Sequence, residues 1–157
     1  MIIMGIDPGL RFNGWGVVDF SNNQFRHIAN GTLKITQNAT LPERLAEIYR
    51  KLTEVLDQYK PDAVAVEEVF VNVNPSSTLK LGQARGVAIL TPSLLGIPVF
   101  EYSATLIKKS VVGVGHATKE QIQMMVGVLL GKPAIDSEHS GDALAMAVCH
   151  AHNYRKW

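Results

Sequence analysis

A chain of 157 residues, 46% hydrophobic and 18% charged, has the composition of a globular protein and not of a disordered one. Its length suits a single domain spanning residues 1–157 and excludes two lobes around a cleft. A net charge of +1 gives no overall basic footprint, the lone Cys149 excludes a disulfide framework, and no run nears the roughly 20 apolar residues of a membrane span; the reading is a cytoplasmic protein with a free core thiol.

In chain order, residues 1–6, 14–20 and 25–35 read as β-strands joined by a Pro-Gly loop and a Ser21-Asn22-Asn23 turn, an antiparallel meander. Thr40-Leu41-Pro42-Glu43 is a capping-box signature, and Leu41, Leu45, Ile48, Leu52, Val55 and Tyr59 then recur at helical spacing up to Pro61. Residues 62–70 read as a buried parallel strand because Ala63, Val64, Ala65 and Val66 give no polar face, and they carry Glu67 and Glu68 near the end. A helix is predicted over 76–95 with a kink near Pro92, then a short strand over 97–102 and a helix over 103–112. After Gly113-Val114-Gly115, Thr118 to Gln121 offers a second capping box for a helix ending near Gly131, and 140–154 is an alanine-rich final helix. The order predicts an α/β fold: a mixed sheet of three antiparallel strands followed by parallel ones, flanked by helices, with the first strand central beside the one ending in Glu67.

Asp7 ends one apolar run and Glu67 another, so each carboxylate sits where a buried strand leaves the core and needs a partner. For Asp7 alone, capping of the Pro8-Gly9 loop explains the residue equally well. His139 and Asp142 stand three apart at a helix start and share a face, although an acid in a first turn is favoured by the helix dipole whatever its function. Together these side chains come from three elements that the strand order brings to one end of the sheet. Oxygen ligands plus an imidazole suit a hard divalent cation, and two such ions about 4 Å apart activate water and stabilise a leaving oxygen in phosphodiester cleavage. No nucleophile elbow, zinc motif or complete phosphate loop competes.

The segments Gly5-Ile6-Asp7-Pro8-Gly9, Ala65-Val66-Glu67-Glu68-Val69-Phe70, Leu81-Gly82-Gln83-Ala84-Arg85-Gly86, Val111-Val112-Gly113-Val114-Gly115 and Asp142-Ala143-Leu144-Ala145 occur in this order, and through them the chain resembles the RuvC-type Holliday-junction resolvases of the ribonuclease-H-like superfamily. The resemblance implies a five-stranded ribonuclease-H-like sheet and places Asp7, Glu67 and Asp142, with Glu67 and not Glu68 of the adjacent pair, at the family's metal-binding catalytic acids. His139 stands where many members have a fourth acid and others have histidine; as a softer ligand it predicts that manganese serves at least as well as magnesium, with two Mg2+ or Mn2+ ions per site. Also implied are a homodimer making paired nicks in a four-way DNA junction, work alongside the RuvA and RuvB branch-migration proteins, and no membrane.

Around this centre, Lys108 and Lys119 match lysines near the scissile phosphate, against the usual fate of lysine as a solvated helix residue; Lys119 opens a capped helix whose amides also suit phosphate. Phe70 reads as a base-stacking wedge or a core ring. Arg85 reads as a phosphate contact or as satisfied beside Gly82, Ala84 and Gly86, small residues that permit close helix packing or a dimer interface. His116, His150 and His152 stay unassigned, and Trp15 reads as core. Three rivals remain: an actin-like kinase, weakened by the missing second lobe; a non-catalytic junction binder, disfavoured by acids facing phosphate; and a related nuclease acting on RNA, separable only by substrate tests.

Overall fold

The computed structural model describes residues 1–69 and 74–154. Strands β1 (Ile2–Asp7), β2 (Phe12–Ser21) and β3 (Gln24–Lys34) form the antiparallel meander. Helix α1 (Leu41–Tyr59) carries both reciprocal bonds of the Thr40 capping box and ends at Lys60 in the left-handed region. Strand β4 (Ala63–Glu67), helix α2 (Pro75–Leu94), strand β5 (Val99–Tyr102) and helices α3 (Ala104–Val112), α4 (Lys119–Leu129) and α5 (Glu138–Asn153) follow. The sheet order is β3-β2-β1-β4-β5, with β1 antiparallel to β2 and parallel to β4. Thus β1 is central beside the strand that ends in Glu67, as the element order predicts.

Two predicted strands are shorter in the structure. The strand predicted over 62–70 stops at Glu67, because its neighbour β5 ends at Tyr102 and hands over to α3 through the N-cap Ser103. Phe70 itself lies outside the described residues. The strand predicted over 97–102 begins at Val99, two residues late; Pro98 has no N–H to give the ladder, although its carbonyl accepts from Val64. Helix α2 runs through Pro92 and stops two residues later.

Alternation along β1 and β4 divides the core in two. Met4, Ile6, Val64 and Val66 face Leu52, Val55 and Leu56 of α1, whereas Ile3 and Ala65 face a larger cluster built with α3, α4 and α5. Ala143 to Cys149 is almost wholly buried, so α5 is the central helix of that layer, and Cys149 is the free buried thiol expected. Trp15 is half-buried and not fully core: its ring packs on Tyr59 and lies over Gly31, where a Cβ would meet it at 2.6 Å. His150, which the sequence leaves unassigned, is fully buried, with Nδ1 2.8 Å from the Tyr102 hydroxyl and its ring near Phe100 and Tyr154. Burial depresses its pKa to about 4, so it is a neutral structural histidine at physiological pH.

Candidate active site

The seat of α5 on the sheet is made of glycines. A Cβ at Gly5 would lie 1.7 Å from the Ala143 carbonyl oxygen, one at Gly14 2.1 Å from the His139 carbonyl oxygen, and one at Gly16 2.6 Å from the Leu144 side chain. Any other residue there would lift the helix, because its backbone rests directly on β1 and β2. Gly14 and Gly16 thus serve helix packing.

This seat brings the first turns of α5 to the carboxyl ends of β1 and β4. Asp7 and Glu67 each follow the last paired residues, Ile6 and Val66, of the parallel ladder. Period-two alternation puts both on the α5 face, with Gly5 and Ala65; the same period sends Glu68 away, and it is exposed. Physical register therefore singles out Glu67 from the adjacent pair.

The connection leaving Asp7 is held by Asn13, 1% exposed, whose side chain donates to the Gly9 carbonyl at 2.7 Å and accepts from the Gly9 N–H at 3.1 Å. The approach to α5 is held by Asn30 of β3, which donates to the Ala134 carbonyl and accepts from the Asp136 N–H. Helix α5 starts two residues earlier than predicted, at Glu138, because Ser137 and Ser140 form a reciprocal capping box. Serine in place of Glu or Gln at the third position hides that signal in the sequence.

The side chains meet as follows. His139 Nδ1 lies 3.1 Å from Asp7 Oδ2, and the imidazole stacks on Phe12 with centroids 5.5 Å apart and planes at 21°. An imidazole that donates Nδ1–H to a carboxylate leaves Nε2 free to face a metal, the arrangement common to metal-ligating histidines. Across the site, Lys119 Nζ is 3.2 Å from Asp142 Oδ2 and also pairs with Glu138, while Gln123 Nε2 donates to Asp142 Oδ1 at 2.9 Å. A cavity of about 250 Å3 lies between Glu67, Lys108, Lys119 and Asp142.

Burial raises the Asp7 carboxyl from its ordinary 3.8 to about 6; the charge of Asp142 adds to the rise, while His139 and Lys119 oppose it. Glu67 is also raised, first by burial and then by the charges of Asp7 and Asp142, with Lys108 and Lys119 opposing. The ion pair with Glu138, and the nearby Asp142, raise Lys119 and keep it an ammonium.

Among the described residues, no three His, Cys, Asp or Glu side chains converge with ligand geometry; Asp7 is paired with His139, and Asp142 with Lys119 and Gln123. The donor set nevertheless fits a hard cation, because three carboxylates share one partly buried space in which their charges disfavour one another.

The structure brings Asp7, Glu67, His139, Asp142, Lys108 and Lys119 to one region. Arg85 is placed differently: Nε donates to the Glu67 carbonyl at 3.0 Å and Nη2 pairs with Glu101, so these donors are engaged within the protein. Gln123, Phe12 and Glu138 are additions that sequence reading missed. The i, i+4 spacing of Lys119 and Gln123 was the available signal, legible only once α4 is known to face α5.

A family model described as crossover junction endodeoxyribonuclease RuvC matches residues 3–150. A crossover junction endodeoxyribonuclease RuvC of Xanthobacter autotrophicus is 53% identical over 151 residues, 96% of this chain and 89% of the relative. That of Azorhizobium caulinodans is 55% identical over 151 residues, with the same coverage of 96% and 89%. Thermus thermophilus RuvC in complex with Holliday junction substrate matches with a TM-score of 0.89 at 36% identity, over 97% of this chain and 93% of that one. A shared ribonuclease-H-like sheet, full-length similarity and acids seated where that sheet meets its central helix lead to one assignment: the chain belongs to the RuvC family of crossover junction endodeoxyribonucleases.

Proposed function

We propose that this single nuclease domain acts in the bacterial cytoplasm on four-way DNA junctions, making paired metal-dependent nicks in strands of like polarity during recombination and repair. The observation that carries this reading is the meeting of Asp7, Glu67 and Asp142 on one face, beside Lys108 and Lys119. Acids facing a polyanion weaken binding unless a cation lies between them. Asp7, Glu67, Asp142 and His139 would hold two Mg2+ or Mn2+ ions, which when bound supply an activated water and stabilise the leaving oxygen.

The chain's own groups do the rest. Lys119, anchored by Glu138 and Asp142, offers its ammonium to charge developing on the phosphate. Lys108, at the rim of the cavity beside Glu67, attracts the DNA backbone. Arg85 fixes the end of β4 through the Glu67 carbonyl and retains its remaining N–H groups for phosphate. Phe70 is proposed to stack on an unpaired base. The junction as substrate is supported by the Thermus relative, whose structure holds one.

A homodimer is supported by α2, where Leu79, Leu90 and Leu94 are 70%, 52% and 62% exposed and Gly82 and Gly86 face open space along the same stripe. Cooperation with RuvA and RuvB is proposed from the family alone. The test is cleavage of an end-labelled synthetic four-way junction followed by ligase. Symmetric nicks yielding duplexes that ligase seals support the proposal; gapped ends or equal cutting of linear duplex would contradict it.

A further inference from the structure

Both oxygens of the Asp142 carboxylate are held by donors one turn apart on α4: Oδ2 by Lys119 at 3.2 Å and Oδ1 by Gln123 at 2.9 Å. The two donors differ in character. Lys119 is half exposed on a flexible stem and shared with Glu138, so an ammonium that turns to a phosphate leaves Asp142. Gln123 is fixed twice: Nε2 also reaches the Glu138 carbonyl at 3.4 Å, and its amide lies directly over the α-carbon of Gly141. A Cβ at Gly141 would sit 2.0 Å from Oε1, 2.7 Å from Cδ and 2.8 Å from Nε2 of Gln123, so the glycine makes the space in which this amide rests.

We infer that Gln123, seated on Gly141, is a positioning residue that sets the orientation of the Asp142 carboxylate for metal binding. The inference rests on the proposed role of Asp142 as a metal ligand. Carboxylate ligands are commonly oriented by an outer hydrogen bond whose removal costs about 10–100-fold in metal affinity or activity. Here the bond keeps Asp142 in place while Lys119 serves the phosphate. The alternative is that Gln123 merely ties α4 to α5.

The test uses Gln123→Met, Gly141→Ala and their double variant in the full chain, beside wild type and Asp142→Asn. Mn2+ is the probe, with free ion measured by electron paramagnetic resonance, half-maximal Mn2+ taken from single-turnover junction cleavage, and thermal unfolding followed in EDTA. Expected for Gln123→Met is a rise of about 10–100-fold in the Mn2+ required, by both binding and cleavage. Gly141→Ala, by pushing the amide aside, gives a similar rise, and the double variant is no worse than the weaker-binding single variant. Mn2+ binding within about twofold of wild type in Gln123→Met overturns the inference, even if unfolding is lowered, because a purely structural tie predicts that combination. Should Asp142→Asn bind Mn2+ as wild type does, the metal role of Asp142 itself fails, and this inference with it.

Discussion

His139 Nδ1 and Asp7 Oδ2, 132 residues apart in sequence, lie 3.1 Å from each other, so the imidazole at the start of α5 reports directly on the carboxylate at the end of the central strand. The contact depends on Gly5, Gly14 and Gly16, which let the helix backbone rest on the sheet.

The proposed metal role of His139 predicts that the identity of residue 139 sets metal preference. An imidazole is softer than a carboxylate and carries one negative charge fewer, so manganese supports cleavage at least as well as magnesium. His139→Asp shifts the balance towards magnesium. Single-turnover rates over titrations of both metals check this; a clear magnesium advantage in wild type refutes it.

Asp7 is held in place at a cost to stability. Its folded pKa of about 6 lies above the ordinary 3.8, so its contribution is fully present below about pH 4 and is lost as pH rises through 6. The shift corresponds to about 3 kcal/mol as an upper figure at neutral pH. In EDTA at pH 7, Asp7→Asn therefore unfolds at a higher temperature than wild type, and the difference vanishes near pH 4. Thermal unfolding over pH 4 to 8 measures it. Ligation needs the ionised form, so at limiting metal the wild-type cleavage rate climbs as pH rises through about 6.

Lys119→Met removes the ammonium beside Asp142. Cleavage falls by about 100- to 1,000-fold, the scale seen for loss of one donor to developing charge. Junction binding in EDTA weakens far less, and its salt slope drops by about one. Gel-shift titrations at several salt concentrations separate the two effects.

Gly5→Ala forces a methyl group into the Ala143 carbonyl, which must move. Destabilisation is about 1–3 kcal/mol, typical of overpacking. Because the displaced backbone carries His139 and Asp142, cleavage by the folded fraction also falls. Denaturant unfolding together with single-turnover kinetics distinguishes this from simple loss of folded protein.

Leu90→Glu places a charge in the exposed apolar stripe of α2. The proposed homodimer predicts that wild type sediments as a dimer and Leu90→Glu as a monomer of preserved thermal stability. Unchanged sedimentation would remove this stripe as the dimer surface.

The sheet was legible because its signals are local: alternating or continuous apolar runs, a Pro-Gly exit, and the capping boxes at Thr40 and Thr118 that the structure reproduces. Asp7 and Glu67 were legible because a carboxylate at the end of an apolar strand conflicts with burial. What stayed hidden depends on packing between distant segments. Gln123 looks like any helix glutamine until α5 is laid beside α4, and Asn13 and Asn30 look like loop or strand polar residues until their amides close the turns that flank the site. Arg85 shows the same dependence on distant packing: its motif leaves a phosphate contact and an internal role equally open, and only the fold shows Nε on the Glu67 carbonyl and Nη2 on Glu101.

The most direct test compares wild type with Asp7→Asn and Asp142→Asn on a synthetic four-way junction and a matched linear duplex, each with Mg2+, Mn2+ or EDTA. Paired nicks confined to the junction, dependent on metal and absent from both variants although they still bind the junction, are the predicted result. Metal-independent cutting, or undiminished cutting by either variant, would contradict the assignment of these acids as the catalytic metal ligands.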